Sequence, residues 1–326
     1  MLRSRGGSHR GSAPRGSEVS GSPLARGAAL AATAQIAAGS SFVAVAALAD
    51  YPIAGGQGAR YGVAALALAV IARGRARIPR GTEWLRLAAI SLLGLAVFNA
   101  LIIIAVDDSD PAAVGVIVGC VPVLLAILAP LQVRQRPRPF VIATAVVVAM
   151  GAALVQWTGG ATSTKAILLA VAALCCEAAF TLLAVPLLTT IGAYGVTVWA
   201  CALSVPMLGG WALLVDGPGA YRMPTTGEFL ALAWLVLGVT LIAILSWFTA
   251  VHLLGAGLAG FFNGLMPVAA MAIGAATGTV ALTPLRVIGT LIVAAGITLG
   301  MRASRAQPPK RYRPEGVERW TSWSRS

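Results

Sequence analysis

Two residues in this sequence carry charge where charge is costly. Glu177 lies in the middle of an apolar run, twelve residues past Lys165, and Arg60 lies inside another. A charge at the centre of a bilayer costs about 2.5–3.5 kcal/mol on insertion scales, and such groups face a cavity or a partner. A carboxyl there can take up and release a proton or hold a cationic group of a ligand; alternatively it is a protonated or paired structural group. A guanidinium can pair with that carboxyl or grip a ligand carboxylate through a two-pronged fork. Otherwise its stem lets the head reach the outer headgroups. Asn99 and Asn263 are amides inside apolar runs. Each either lines a cavity or bridges helices, a bond that contributes about 0.6 kcal/mol. Trp199, Trp247, Phe42 and Tyr61, with Phe180, would give such a cavity an aromatic wall. The competing reading puts aromatics in packing or in interfacial belts, the expected place of Trp84, Trp157, Trp211 and Trp234. His252, just past an apolar run, reads as interfacial, with a proton relay as the alternative.

Composition says what surrounds these groups. Of 326 residues, 58% are hydrophobic and 11% charged, against about 25% charged in a soluble domain. That leaves an all-α integral membrane protein. The net charge of +13 would suggest nucleic acid in a soluble chain, but here the basic residues lie in tails and short loops, so no nucleic-acid partner is expected. Cys120, Cys175, Cys176 and Cys201 all fall in apolar stretches without metal-ligand spacing. No metal and no cofactor are expected. Asp107-Asp108-Ser109-Asp110 raises a membrane prenyltransferase-like enzyme, whose magnesium–diphosphate site needs a second acidic cluster; none is present. With no nucleophile triad, metalloprotease motif or P-loop either, the chain reads as no enzyme.

Apolar runs span about 28–49, 52–72, 87–106, 111–132, 140–157, 166–187, 195–215, 229–250, 256–280 and 284–302. Lacking strand alternation and long enough to cross a bilayer, they read as ten transmembrane helices. Residues 1–27 and 303–326 read as basic, disordered tails. The first run is too long for a signal-peptide core and reads as helix one. Twenty Lys and Arg residues fall on one side of this scheme and three, Lys165, Arg222 and Arg286, on the other. Positive charge stays inside, so both termini are expected in the cytoplasm and the acidic cluster outside.

The chain also repeats. Gly115, Gly119, Pro122, Val123, Pro139 and Gly151 recur 145 residues later as Gly260, Gly264, Pro267, Val268, Pro284 and Gly296. The glycines would let helices approach closely and the prolines would bend them, serving packing and gating. Each copy, 28–157 and 165–302, holds five helices, so the second must lie inverted in the membrane. Inverted repeats of this kind place a substrate site near the midplane, at the repeat interface.

These features resemble the drug/metabolite transporter superfamily, in particular its EamA branch. The residues that carry the resemblance are Gly39-Ser40-Ser41-Phe42-Val43, Arg60, Asn99, Ala105, Ala112-Ala113 with Pro122, and in the second copy Ala250, Ala256, Ala259 and Pro267. Ala38 stands where the family often has Trp, and Val133–Arg136 and Ala276–Thr279 lack the acid often found there. The resemblance implies a multi-pass carrier of the cell (inner) membrane. Such a carrier moves a small polar or amphipathic, amino-acid-like metabolite outward by alternating access, with protons as the candidate coupling ion. A multidrug-type efflux carrier of the same fold is the alternative.

Overall fold

The computed structural model describes residues 23–305 except 49, 73–75, 108, 158–161 and 216. Residues 1–22 and 306–326 of the basic tails therefore lie outside the described residues, as do Arg73, Arg75 and Asp108, while 23–27 and 303–305, expected in the tails, belong to the first and last helices. Among the described residues there is helix and no strand. The helices are α1 (Pro23–Ala46), α2 (Ile53–Ala72), α3 (Thr82–Val106), α4 (Pro111–Gln132), α5 (Pro139–Gln156), α6 (Thr164–Thr190), α7 (Gly192–Val215), α8 (Thr226–Leu254), α9 (Ala256–Ala276) and α10 (Pro284–Arg305).

All but α2 are long and apolar enough to cross a membrane, giving nine such helices among the described residues. Gln57, Arg60 and a run of glycines dilute α2; it is nonetheless held in the bundle along α7. Local chemistry sets the ends. Asp110 caps α4 by accepting from Ala112 N at 3.0 Å, with Pro111 next. Ser163 caps α6, and Thr225 with Glu228 forms a capping box on α8. Gly192, the first residue of α7, and Gly255, just before α9, take positive φ at the tight joins.

The helix pairings exchange between the halves. α5 lies along α10 and α2 along α7; α1 packs on α8 and α9 as α6 packs on α3 and α4. The repeated Gly-x-x-x-Gly-x-x-Pro stretch marks a break in both copies. α4 stops at Val118 and resumes at Val121, while α9 passes through a 3-10 turn, Phe261–Gly264. Pro122 and Pro267 begin the resumed segments, where a missing N–H costs least. Wide π-helical turns occupy Ser91–Val97 of α3 and Leu235–Ile244 of α8, again matched between copies.

The inner surface is closely packed around Phe248, Phe261, Leu87 and Ile90, while Leu66, Val70, Ile71, Leu168 and Leu291 point outward. Outward apolar side chains are what a lipid solvent requires. The α5–α10 crossing is the tightest seam. A Cβ on Gly151 would lie 2.8 Å from Gly289 O and from Val293 N. Both are backbone atoms, so neither can rotate away. Gly151→Val is expected to cost at least about 1–3 kcal/mol through overpacking. A lowered thermal midpoint in detergent checks this; an unchanged midpoint refutes it.

Candidate substrate site

Arg60 is 8% exposed, which rules out the headgroup-seeking reading. Its Nε donates to Thr240 Oγ1 at 2.7 Å and its Nη1 to Gln57 Oε1 at 3.2 Å. The guanidinium lies 5.0 Å from the centroid of the neighbouring Tyr61 ring. Thr240 is fully buried in the π-helical part of α8 and donates its own proton to Leu235 O at 3.0 Å, five residues back. The wide turn thus fixes the hydroxyl with its lone pairs toward Arg60.

The Asn99 side chain lies close to the Tyr61 hydroxyl. Asn99 Nδ2 donates to Leu95 O at 2.7 Å, inside the π-helical part of α3. Ser91, where that turn begins, donates to Leu87 O and Ala200 O, tying α3 to α7. Cys201 of α7 is fully buried and close enough to Arg60 to feel its charge. One polar chain, Thr240–Arg60–Tyr61–Asn99, therefore runs from the wide turn of α8 through α2 to the wide turn of α3.

The expected pairing of Arg60 with Glu177 is not found. Among the described residues no carboxylate forms an ion pair with Arg60, and Glu177 has no hydrogen-bond or ion-pair partner. Gln57 on its own helix and Thr240 on the facing one are the groups within reach of Arg60 instead. Glu177 is half-buried on α6. One turn on, Thr181 accepts from Trp247 Nε1 at 3.2 Å, and Trp247 is 6% exposed. Trp247 therefore bridges α8 to α6.

Asn263 lies in the 3-10 break of α9 and is buried. Gln35 Nε2 of α1 donates to its Oδ1 at 2.5 Å, and its Nδ2 has no partner among the described residues. The amide joins α1 to α9, apart from the Arg60 chain. The aromatic residues do not form one wall. Tyr61 touches Arg60, whereas Phe42 is 53% exposed on α1. Trp199 stacks edge-on with Trp84, ring centroids 5.1 Å apart, and donates to Arg77 O at 3.0 Å at one end of the bundle. Phe180 packs against Phe248 and over Gly94.

The repeat glycines meet different neighbours. Gly115 faces Gln156, Gly119 faces the Gly115 carbonyl, Gly260 faces Leu125, and Gly264 faces Val148 and Val293. His252 is exposed in the last turn of α8. Of the acidic cluster, Asp110 serves as a cap, and the side chains of Asp107 and Asp108 lie outside the described residues. Thr240, Gln57, Gln35 and Thr181 were not singled out from sequence. Each is a small or neutral polar residue in an apolar run, a signal that charge and aromatic content do not raise.

Comparison with known proteins agrees with this architecture. Residues 25–157 and 164–302 each match the model of the EamA-like transporter family. A crystal structure of another protein, at 16% sequence identity, superposes with a TM-score of 0.72 over 86% of this chain and 98% of that one. Among proteins with curated functions, none matches the chain.

Proposed function

Because the chain belongs to the EamA-like transporter family of the drug/metabolite transporter superfamily, we propose that it exports a small, amino-acid-like metabolite bearing an anionic group. The movement is by alternating access across the cytoplasmic membrane, with both termini in the cytoplasm. The observation that carries this reading is Arg60, buried with no acidic partner among the described residues. A buried cation held only by neutral groups costs more than one that is neutralised. A substrate carboxylate supplies the missing charge, and Tyr61, Asn99 and Thr240 orient it. Halves related by a half-turn in the membrane plane would put this site near the midplane. The exchanged helix pairings and the matched breaks and wide turns support that relation.

The test compares intracellular metabolites in cells with and without the protein, then transport in sealed vesicles. Accumulation of an amino-acid-like anion in cells lacking it supports the reading. A change confined to uncharged or cationic amphipathic compounds overturns it in favour of multidrug-type efflux.

A further inference from the structure

Two ion pairs occupy corresponding places in the two halves. Arg222, just before α8, and Glu228, in its first turn, lie 145 residues after Arg77, before α3, and Glu83, in its first turn. In each turn the glutamate also accepts a backbone N–H: from Thr225 at 2.7 Å and, again 145 residues earlier, from Arg80 at 2.8 Å. Each arginine then reaches a backbone carbonyl of the other half. Arg222 Nη2 donates to Asp50 O at 3.0 Å and Arg77 Nη1 to Thr190 O at 2.6 Å. Each arginine's own carbonyl, in return, accepts from an aromatic residue of the other half. Tyr51 Oη donates to Arg222 O at 2.9 Å, and Trp199 Nε1 to Arg77 O at 3.0 Å. Burial pushes the Tyr51 phenol up from its ordinary pKa, so it stays a neutral donor. With α2 between Tyr51 and Arg77 along the chain, the two assemblies sit at opposite ends of the bundle.

We infer that these two Arg–Glu assemblies are reciprocal latches, each closing one access route to the central site by joining the ends of the two halves. The inference rests on the alternating-access reading and adds the groups that hold each state. A latch must open every cycle, so its bonds should be individually weak. Each pair joins a partly exposed arginine to a mostly covered glutamate, and solvent at the arginine keeps it near that strength. The two latches also differ. Arg222 grips Glu228 with two prongs, at 2.5 and 3.0 Å, and stacks 4.8 Å from the Tyr51 ring centroid. Arg77 meets Glu83 only at 3.6 Å. The closure is firm at the Arg222 end and loose at the Arg77 end.

Cys201 provides a reporter, fully buried on α7, the helix along which α2 and its Arg60 lie. With Cys120, Cys175 and Cys176 replaced by alanine, its modification by a membrane-impermeant maleimide is timed from each face of sealed vesicles of both orientations. Arg222→Gln or Glu228→Gln should raise the rate from the Arg222 face by up to about fivefold, the upper weight of one such pair, and lower it from the other face. Arg77→Gln or Glu83→Gln should do the reverse by a smaller factor. Glutamine suits the third position of a capping box, so Glu228→Gln retains the start of α8, and gel filtration confirms the folded fraction. Folded variants that modify at the wild-type rate from both faces overturn the latches and leave alternating access standing. A rise from both faces at once overturns alternating access itself, because one route would have opened without the other closing.

Discussion

Arg60→Met is expected to abolish transport of the anionic substrate while the bundle still assembles. Methionine fills much of the stem's volume and removes a buried charge, so folding should be no harder. The loss falls on binding, because truncating one partner of a buried, hydrogen-bonded charge pair costs about 2–5 kcal/mol, or at least about 30-fold. Arg60→Lys is the informative companion. It restores the charge but not the planar fork, and it loses the Nε bond to Thr240. Its KM should rise well above that of the wild type, with maximal rate affected less. Uptake into vesicles, normalised to monodisperse protein, reads both effects. Wild-type KM and rate in Arg60→Met would make Arg60 a structural residue.

Glu177→Gln should separate coupling from binding. The carboxyl is half-buried in mid-helix without a partner among the described residues, on the helix whose Thr181 holds Trp247. The amide is nearly isosteric and cheaper to bury, so the protein should insert and fold. Being unable to titrate, it should flatten the pH profile of net transport, while exchange of substrate across an equilibrated membrane survives. A structural carboxyl gives the opposite pattern, altered stability with an unchanged pH profile per folded molecule. Identical pH profiles remove Glu177 from the coupling step.

Much of the fold was legible because lipid makes simple demands. Long apolar runs must be helices, and the recurrence of Gly115, Gly119 and Pro122 at Gly260, Gly264 and Pro267 marks the two breaks. Arg60 and Asn99 could be picked out as polar groups in apolar runs and Tyr61 as an aromatic one, but not joined, since their proximity depends on how α2 and α3 both pack on α7. Arg60 and Glu177 looked like natural partners by charge alone, yet the groups the guanidinium meets are neutral Thr240 and Gln57. The latches were hidden differently. Arg77 and Arg222 count toward orientation as loop charges, and that count is silent about Glu83 and Glu228, which recur at the repeat spacing in plain view.

The wide turns in α3 and α8 have a further consequence for how position is encoded. A π-turn holds one residue more than an α-turn, so each of these helices absorbs a surplus residue without changing its ends. Periodicity drawn straight through residues 82–106 slips phase at Ser91–Val97, and the face assigned to Asn99 slips with it. Deleting a single residue from that stretch would let the helix relax to regular α-geometry. Side chains beyond it, Asn99 included, would then keep their faces, whereas the same deletion from a regular part of α3 would swing them by about 100° and carry Asn99 away from Tyr61 with the chemistry of both residues intact. The arrangement around Arg60 is thus a matter of residue count as well as residue type.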